Sequence, residues 1–299
     1  MTTIAQWWMW GGFLIFMSIM IMVDMFLLQG NKANRMSTRE AFAWTIVWFT
    51  LAMMFALLLW WYLIQTATTA IAHQKTAEFL TGYLIEWSLS IDNVFVFIMI
   101  FNYFIVPEEY QRRVLLYGVL FAIFARLIFI LFGVWLISHF HWVVYIFGLF
   151  LLFTGIKMLI MAEHKPELVN NPIFRFMKNH LRITDKFHQE RFFIKKNNLL
   201  YFTPLFLVLI LIEVSDLIFA VDSIPAIFAI THDPFIVFTS NIFAILGLRT
   251  LYFLLKNMEK RFHLLKYGLA LILIFVGFKM IIAHWFDIPT MLTLIIIVV

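Results

Sequence analysis

Long apolar stretches, broken by short polar segments, run from one end of the chain to the other. About 20 apolar residues in a helix cross the hydrocarbon core of a bilayer. By that measure the pattern predicts eight membrane spans, at about 7–28, 40–64, 78–104, 112–138, 142–162, 199–230, 234–256 and 264–285. A ninth starts after Pro289 and reaches Val299. It is long enough for about half the core at roughly 1.5 Å per residue, so a truncated helix is the simpler expectation. The first span is too long, and too bare of a charged leader or cleavage site, for a removed signal peptide. The expected fold class is therefore all-α: a polytopic membrane protein of about nine transmembrane helices.

Composition agrees. The chain is 64% apolar and 13% charged, against about 45–50% and about 25% for a soluble domain. That excludes a water-soluble fold, and disorder more firmly still. Cysteine is absent, which excludes disulfides, thiolate metal sites and cysteine nucleophiles in this chain.

The net charge of +5 points to topology rather than to nucleic acid. All but five of the 22 Lys and Arg residues fall in the loops of one side. The other side carries Lys75, while Arg126, Lys157, Arg249 and Lys279 lie within spans. The positive-inside rule puts the basic side in the cytoplasm and the amino terminus outside. Residues 163–198 are expected to form a basic cytoplasmic loop, in which Asn171-Pro172 reads as a helix start and Phe174, Phe176, Met177 and Leu181 as the apolar face expected of it.

Spans five and eight share a pattern: YIFGLFLLFTGIKMLI at 145–160 and YGLALILIFVGFKMII at 267–282. Gly155 pairs with Gly277, and Lys157-Met158 with Lys279-Met280. Spans four and seven pair through Arg126 and Arg249, and spans three and six through Asp92-Asn93 and Asp222-Ser223. Three helices per unit is an odd number, so the two units must thread the membrane in opposite directions. The expected organisation is a two-helix segment at 1–64, a three-helix repeat at 78–162, the basic loop at 163–198, an inverted repeat at 199–285 and the start of a final helix at 286–299. Inverted repeats are typical of secondary transporters, whose substrate sits near the midplane between them.

Span three holds Glu86 and Asp92; span six holds Glu213, Asp216 and Asp222. A charge at the bilayer centre costs at least ~2.5–3.5 kcal/mol, so five together need protons, bases or a metal cation. Glu213 and Asp216 share a helix face, as do Glu86 and Asn93. The six-residue steps from Glu86 to Asp92 and from Asp216 to Asp222 turn roughly 240° and diverge in a regular helix. Pro225 cannot donate to the Val221 carbonyl and crowds it, so span six should kink near Asp222 and expose a carbonyl beside the acid.

The candidate metal ligands are Glu86, Asp92, Asn93, Glu213, Asp216, Asp222 and Ser223, with Ser240 and Asn241 as further oxygen donors. An all-oxygen set suits Mn²⁺, Mg²⁺ or Ca²⁺ rather than Zn²⁺, Cu or Ni. Arg126 and Arg249 are the expected partners of the acids. Lys157 and Lys279 suit either snorkelling to the interface or a part in the site, and Asp24 suits interface solvation. His139, His141, His232 and His284 cluster toward the outer face.

These motifs resemble the TerC family of bacterial integral membrane proteins, in particular its Alx-like branch. The likeness is strongest in GYLIEWSLSIDNVFVF at 82–97, LIEVSDLIFAVDSIPAIFAI at 211–230 and DPFIVFTSNIFAILGLR at 233–249. The family is similar to the LysE-type transporters, which pair three-helix units. The resemblance implies an inner-membrane manganese exporter linked by family name to tellurite resistance, with Glu86, Asp92, Glu213, Asp216 and Asp222 as the metal-site acids.

The expected function is export of a hard divalent cation, Mn²⁺ first, by alternating access, with protonation of the acids as a driving force for release. The alternative is a membrane metal-binding or scaffold protein that delivers metal to secreted proteins, or supports stress resistance, without net transport. An enzyme is not expected: the chain has no Gly-Asp dipeptide, no DDxxD cluster and no GxSxG elbow. The expected partners are the lipid bilayer and the metal ion, with no nucleic acid.

Overall fold

The computed structural model describes residues 3–29, 37–140, 142–160, 180–184, 186–196, 199–256, 265–283, 285–286 and 288–298. Among the described residues the helices are α1 (Trp7–Gln29), α2 (Thr38–Thr66), α3 (Thr69–Tyr103), α4 (Glu108–His139), α5 (Val143–Ile160), α6 (Pro204–Phe228), α7 (Pro234–Leu246), α8 (Leu248–Lys256), α9 (Leu265–Ile282) and α10 (Thr290–Val298). A small hairpin pairs β1 (Phe193–Lys196) with β2 (Leu199–Phe202) in antiparallel register. Among the described residues, six segments are long and apolar enough to cross a membrane: α2, α3, α4, α5, α6, and α7 with α8 taken together. The apolar stretches of α1 and α9 are shorter.

Local chemistry sets several helix starts. Ser37 caps α2 with a capping box, its hydroxyl accepting from the Glu40 amide while the Glu40 carboxylate accepts from the Ser37 amide. Thr203 precedes α6, and Pro204 at the first helical position fixes φ for the opening turn. Asp233 caps α7 by accepting from the Phe235 amide at 3.0 Å.

The sixth span is shorter than expected, because Leu199–Phe202 belong to the hairpin. That run is as apolar as the helix it precedes, so hydropathy alone merges the two. Nor is α6 interrupted at Asp222: it stays helical through Pro225 and ends three residues later at Phe228. The interruption falls instead in the seventh span, where Gly247 separates α7 from α8. In the basic loop, Asn171, Pro172, Phe174, Phe176 and Met177 lie outside the described residues, as do His141, His284 and the side chain of Asp24.

At the centre stand α3 and the α7–α8 segment. α3 is 35 residues long and packs against α2, α6, α7, α8 and α10. The α7–α8 segment is the least apolar of the six spanning segments and the most completely buried. It carries Thr239, Ser240, Asn241, Arg249 and Thr250, all buried. α1 docks on it through aromatic rings, Phe13 meeting Phe238 at 5.9 Å and Phe243 at 5.8 Å between centroids.

α5 packs on α9 with their backbones in contact. A Cβ at Gly155 would stand 2.9 Å from the Ala270 carbonyl and 3.0 Å from the Ile274 nitrogen. A Cβ at Gly277 would stand 2.7 Å from both the Gly148 carbonyl and the Leu152 nitrogen. Ala270 and Ile274 precede Gly277 by the same steps as Gly148 and Leu152 precede Gly155. The contact is therefore reciprocal: equivalent residues of the two motifs touch each other.

Candidate metal centre

Glu86 sits midway along α3 and is fully buried. Arg126 of α4, 1% exposed, reaches it with Nη1. The same Nη1 donates to Ser223 Oγ of α6 at 3.0 Å. Nη2 lies 3.6 Å from Asp216 Oδ1, also on α6. Asn93, two turns after Glu86, donates from Nδ2 to Asp216 Oδ1 at 3.5 Å. Three helices thus bring two acids, an amide and a hydroxyl around one guanidinium. The seven-residue spacing that puts Glu86 and Asn93 on one face of α3 does the same for Asp216 and Ser223 on α6.

Glu213 adjoins this group. It lines a small pocket between α4, α6 and the α7–α8 junction, together with Asp216, Gly118 and Leu248. The carboxylate is 6% exposed, and neither oxygen has a hydrogen-bond partner. A Cβ at Gly118 would lie 3.3 Å from Glu213 Oε1, so glycine there leaves room beside the acid. Glu86 Oε2, Ser90 Oγ one turn after Glu86, and both polar atoms of the Asn241 amide are likewise buried without partners. A buried polar atom left unpaired costs about 1–3 kcal/mol, more when charged. The unpaired oxygens of Glu86 and Glu213 suit a site built to receive a cation.

The seven candidate ligands do not all converge. Glu86, Asn93, Glu213, Asp216 and Ser223 gather around Arg126 and the adjoining pocket. Asp222 instead faces α5 and accepts from Thr154 Oγ1 at 3.3 Å. Asp92 is partly buried. Because both helices run on without a break, the six-residue step carries Asp92 and Asp222 away from the shared face. Among the described residues, no three Asp, Glu or His side chains form a ready-made cation cluster.

The two repeat lysines also differ. Lys157 is exposed on α5, close enough to Asp222 for their charges to interact. Lys279 is 6% exposed, and its Nζ donates to the buried Thr293 of α10 at 3.0 Å, so it points into the protein. His139 Nδ1 lies 2.9 Å from the Trp135 carbonyl of its own helix.

Sequence reasoning missed Thr154, which nothing marks as polar-facing except its place one residue before Gly155. It also missed a buried network at the end of the bundle opposite the basic loops. There Thr231 Oγ1 donates to Glu78 Oε2 at 2.6 Å, and Lys75 Nζ donates to the same oxygen at 2.7 Å. Nearby, Asp233 accepts from Thr3 Oγ1 at 3.0 Å and from the Ile4 amide at 2.8 Å.

Comparison with known proteins agrees that this is an integral membrane protein. The family described as "Integral membrane protein TerC family" matches residues 71–299. A protein of Escherichia coli (strain K12), "Putative membrane-bound redox modulator Alx", is 55% identical over 295 residues, covering 98% of this chain and 92% of that protein. Its namesake in Photorhabdus laumondii is 52% identical over 289 residues, or 97% and 90% of the two chains. "Uncharacterized membrane protein STKORF319" of Myxococcus xanthus is 41% identical over 281 residues, or 94% and 85%. No solved structure matches. The chain belongs to the TerC family of integral membrane proteins.

Proposed function

We propose that this member of the TerC family exports a hard divalent cation, Mn²⁺, from the cytoplasm across the bacterial inner membrane. The observation that carries the reading is the Glu213 carboxylate, buried beside Asp216 with neither oxygen partnered. Carboxylates in a low-dielectric interior demand positive charge. Glu86, Glu213, Asp216 and Ser223 offer oxygens, and the chain has no cysteine to favour a softer metal.

The reciprocal contact of Gly155 and Gly277 supports an inverted repeat, and with it alternating access about a site between the two units. The basic loops would face the cytoplasm and the amino terminus the outside. Metal would enter at the pocket beside Glu213 and Asp216. It would leave outward as the units rock, with Asp92 and Asp222 as further acids along its path and protons as coupling ion.

The relatives' name carries a second reading, redox modulation. With no cysteine of its own, this chain would act on redox state indirectly, through the metal it moves or delivers. Purified protein in liposomes separates the readings. Mn²⁺ flux that disappears with Asp222→Asn or Asp92→Asn supports the exporter. Mn²⁺ binding without flux supports metal delivery.

A further inference from the structure

We propose that Arg126 is a tethered stand-in for the transported ion, occupying the acid centre whenever the metal is absent. The inference rests on the reading of that centre as a cation site. It concerns how charge is compensated in the empty carrier.

The geometry is that of a cation held but not locked. Arginine binds a carboxylate best as a two-pronged fork. Here Nη1 alone engages Glu86 and Ser223, and Nη2 stands 3.6 Å from Asp216. Nε is buried and unpartnered, as is Glu86 Oε2. One positive charge serves Glu86, Asp216 and the neighbouring Glu213, an acid group suited to more charge than arginine brings.

A divalent ion binding Glu86 and Asp216 would bring its two charges against the guanidinium, which holds one oxygen of each carboxylate. Metal and Arg126 are therefore competitors for the same carboxylates. After the metal leaves, the acids could not stay ionised and unpaired in a low-dielectric interior. Re-entry of Arg126 returns one positive charge to them, protons cover the rest, and the empty protein can return. The guanidinium thus lowers metal affinity and enables net movement at once.

The test uses the full-length protein, with ⁵⁴Mn²⁺ flux in liposomes and Mn²⁺ binding by calorimetry. Arg126→Gln should bind Mn²⁺ roughly tenfold more tightly, within the ordinary range of coupling between two ligands. It should lose net efflux yet keep Mn²⁺/Mn²⁺ exchange, because a loaded carrier needs no stand-in to return. Arg126→Lys keeps the charge on a more compact, strongly hydrated head, and should recover part of net efflux with intermediate affinity. Wild-type affinity in both variants, or loss of exchange together with efflux, would overturn the inference. So would failure of both variants to fold, since the ion pair would then be architectural. Wild-type protein that neither binds nor moves Mn²⁺ would instead sink the exporter reading itself.

Discussion

Glu86 on α3 and Asp216 on α6 reach the same guanidinium, that of Arg126, although each lies on a different helix and far apart in the chain. Around them Ser223 accepts from Arg126, and Asn93 donates to Asp216. The arrangement ties the two acid-bearing helices to α4 through charge. Four expectations follow from this centre and its surroundings.

Glu213→Gln should separate stability from activity. The wild-type carboxyl group is buried with no hydrogen-bond partner, and ionising it there destabilises the fold, a cost that the neutral amide does not carry. The amide should raise the melting temperature by a few degrees while Mn²⁺ efflux is lost. A lower melting temperature, measured in the same detergent, would contradict the burial argument.

Gly118→Ala should reach Glu213 sterically. The added methyl would lie 3.3 Å from Glu213 Oε1 and 3.8 Å from Ile212 Cγ2, tight but tolerable. The protein should fold with a nearly unchanged melting temperature, and Mn²⁺ binding should weaken about tenfold, or roughly 1.4 kcal/mol. Unchanged affinity by calorimetry would show that metal does not use this pocket.

The glycines of the α5–α9 seam should be intolerant of any side chain. Gly277→Ala would press a methyl to 2.7 Å from backbone atoms of α5, which neither helix can move aside locally. Overpacking of this kind costs about 1–3 kcal/mol. Gly268→Ala is the matched control, because nothing lies within 4 Å of its Cβ position. Equal melting temperatures for the two variants would refute the backbone contact.

Asp233→Ala should release the start of the chain. Asp233 caps α7 and accepts from Thr3 and Ile4. Loss of the cap and these bonds should cost about 1–2 kcal/mol. Hydrogen exchange should speed up at residues 4–8 and at Phe235. Protection that persists at Ile4 would show that other contacts hold this segment.

The helices were largely legible, because a membrane span needs a length of apolar sequence that little else produces. Arg126 as a partner of the acids was legible for a related reason: a charge at that depth must meet another. Leu199–Phe202 was misread because hydropathy does not distinguish an apolar strand from an apolar helix of similar composition. The break at Gly247 escaped notice because Pro225 is the louder signal, yet α6 carries Pro225 without interruption and ends soon after it. Which acids would converge was only half readable. Helical phase separates Asp92 from Glu86 within α3, but whether Asp222 faces Arg126 or Thr154 depends on how α6 is rotated against α5.

The enclosure of α7–α8 bears on how the chain is assembled. Its neighbours α1, α2, α3, α4 and α6 all precede it in sequence. When the ribosome delivers Asn241 and Arg249, the helices that will shelter them have already been made. Two side chains that lipid would reject can thus pass straight from the insertion machinery into a prepared protein slot.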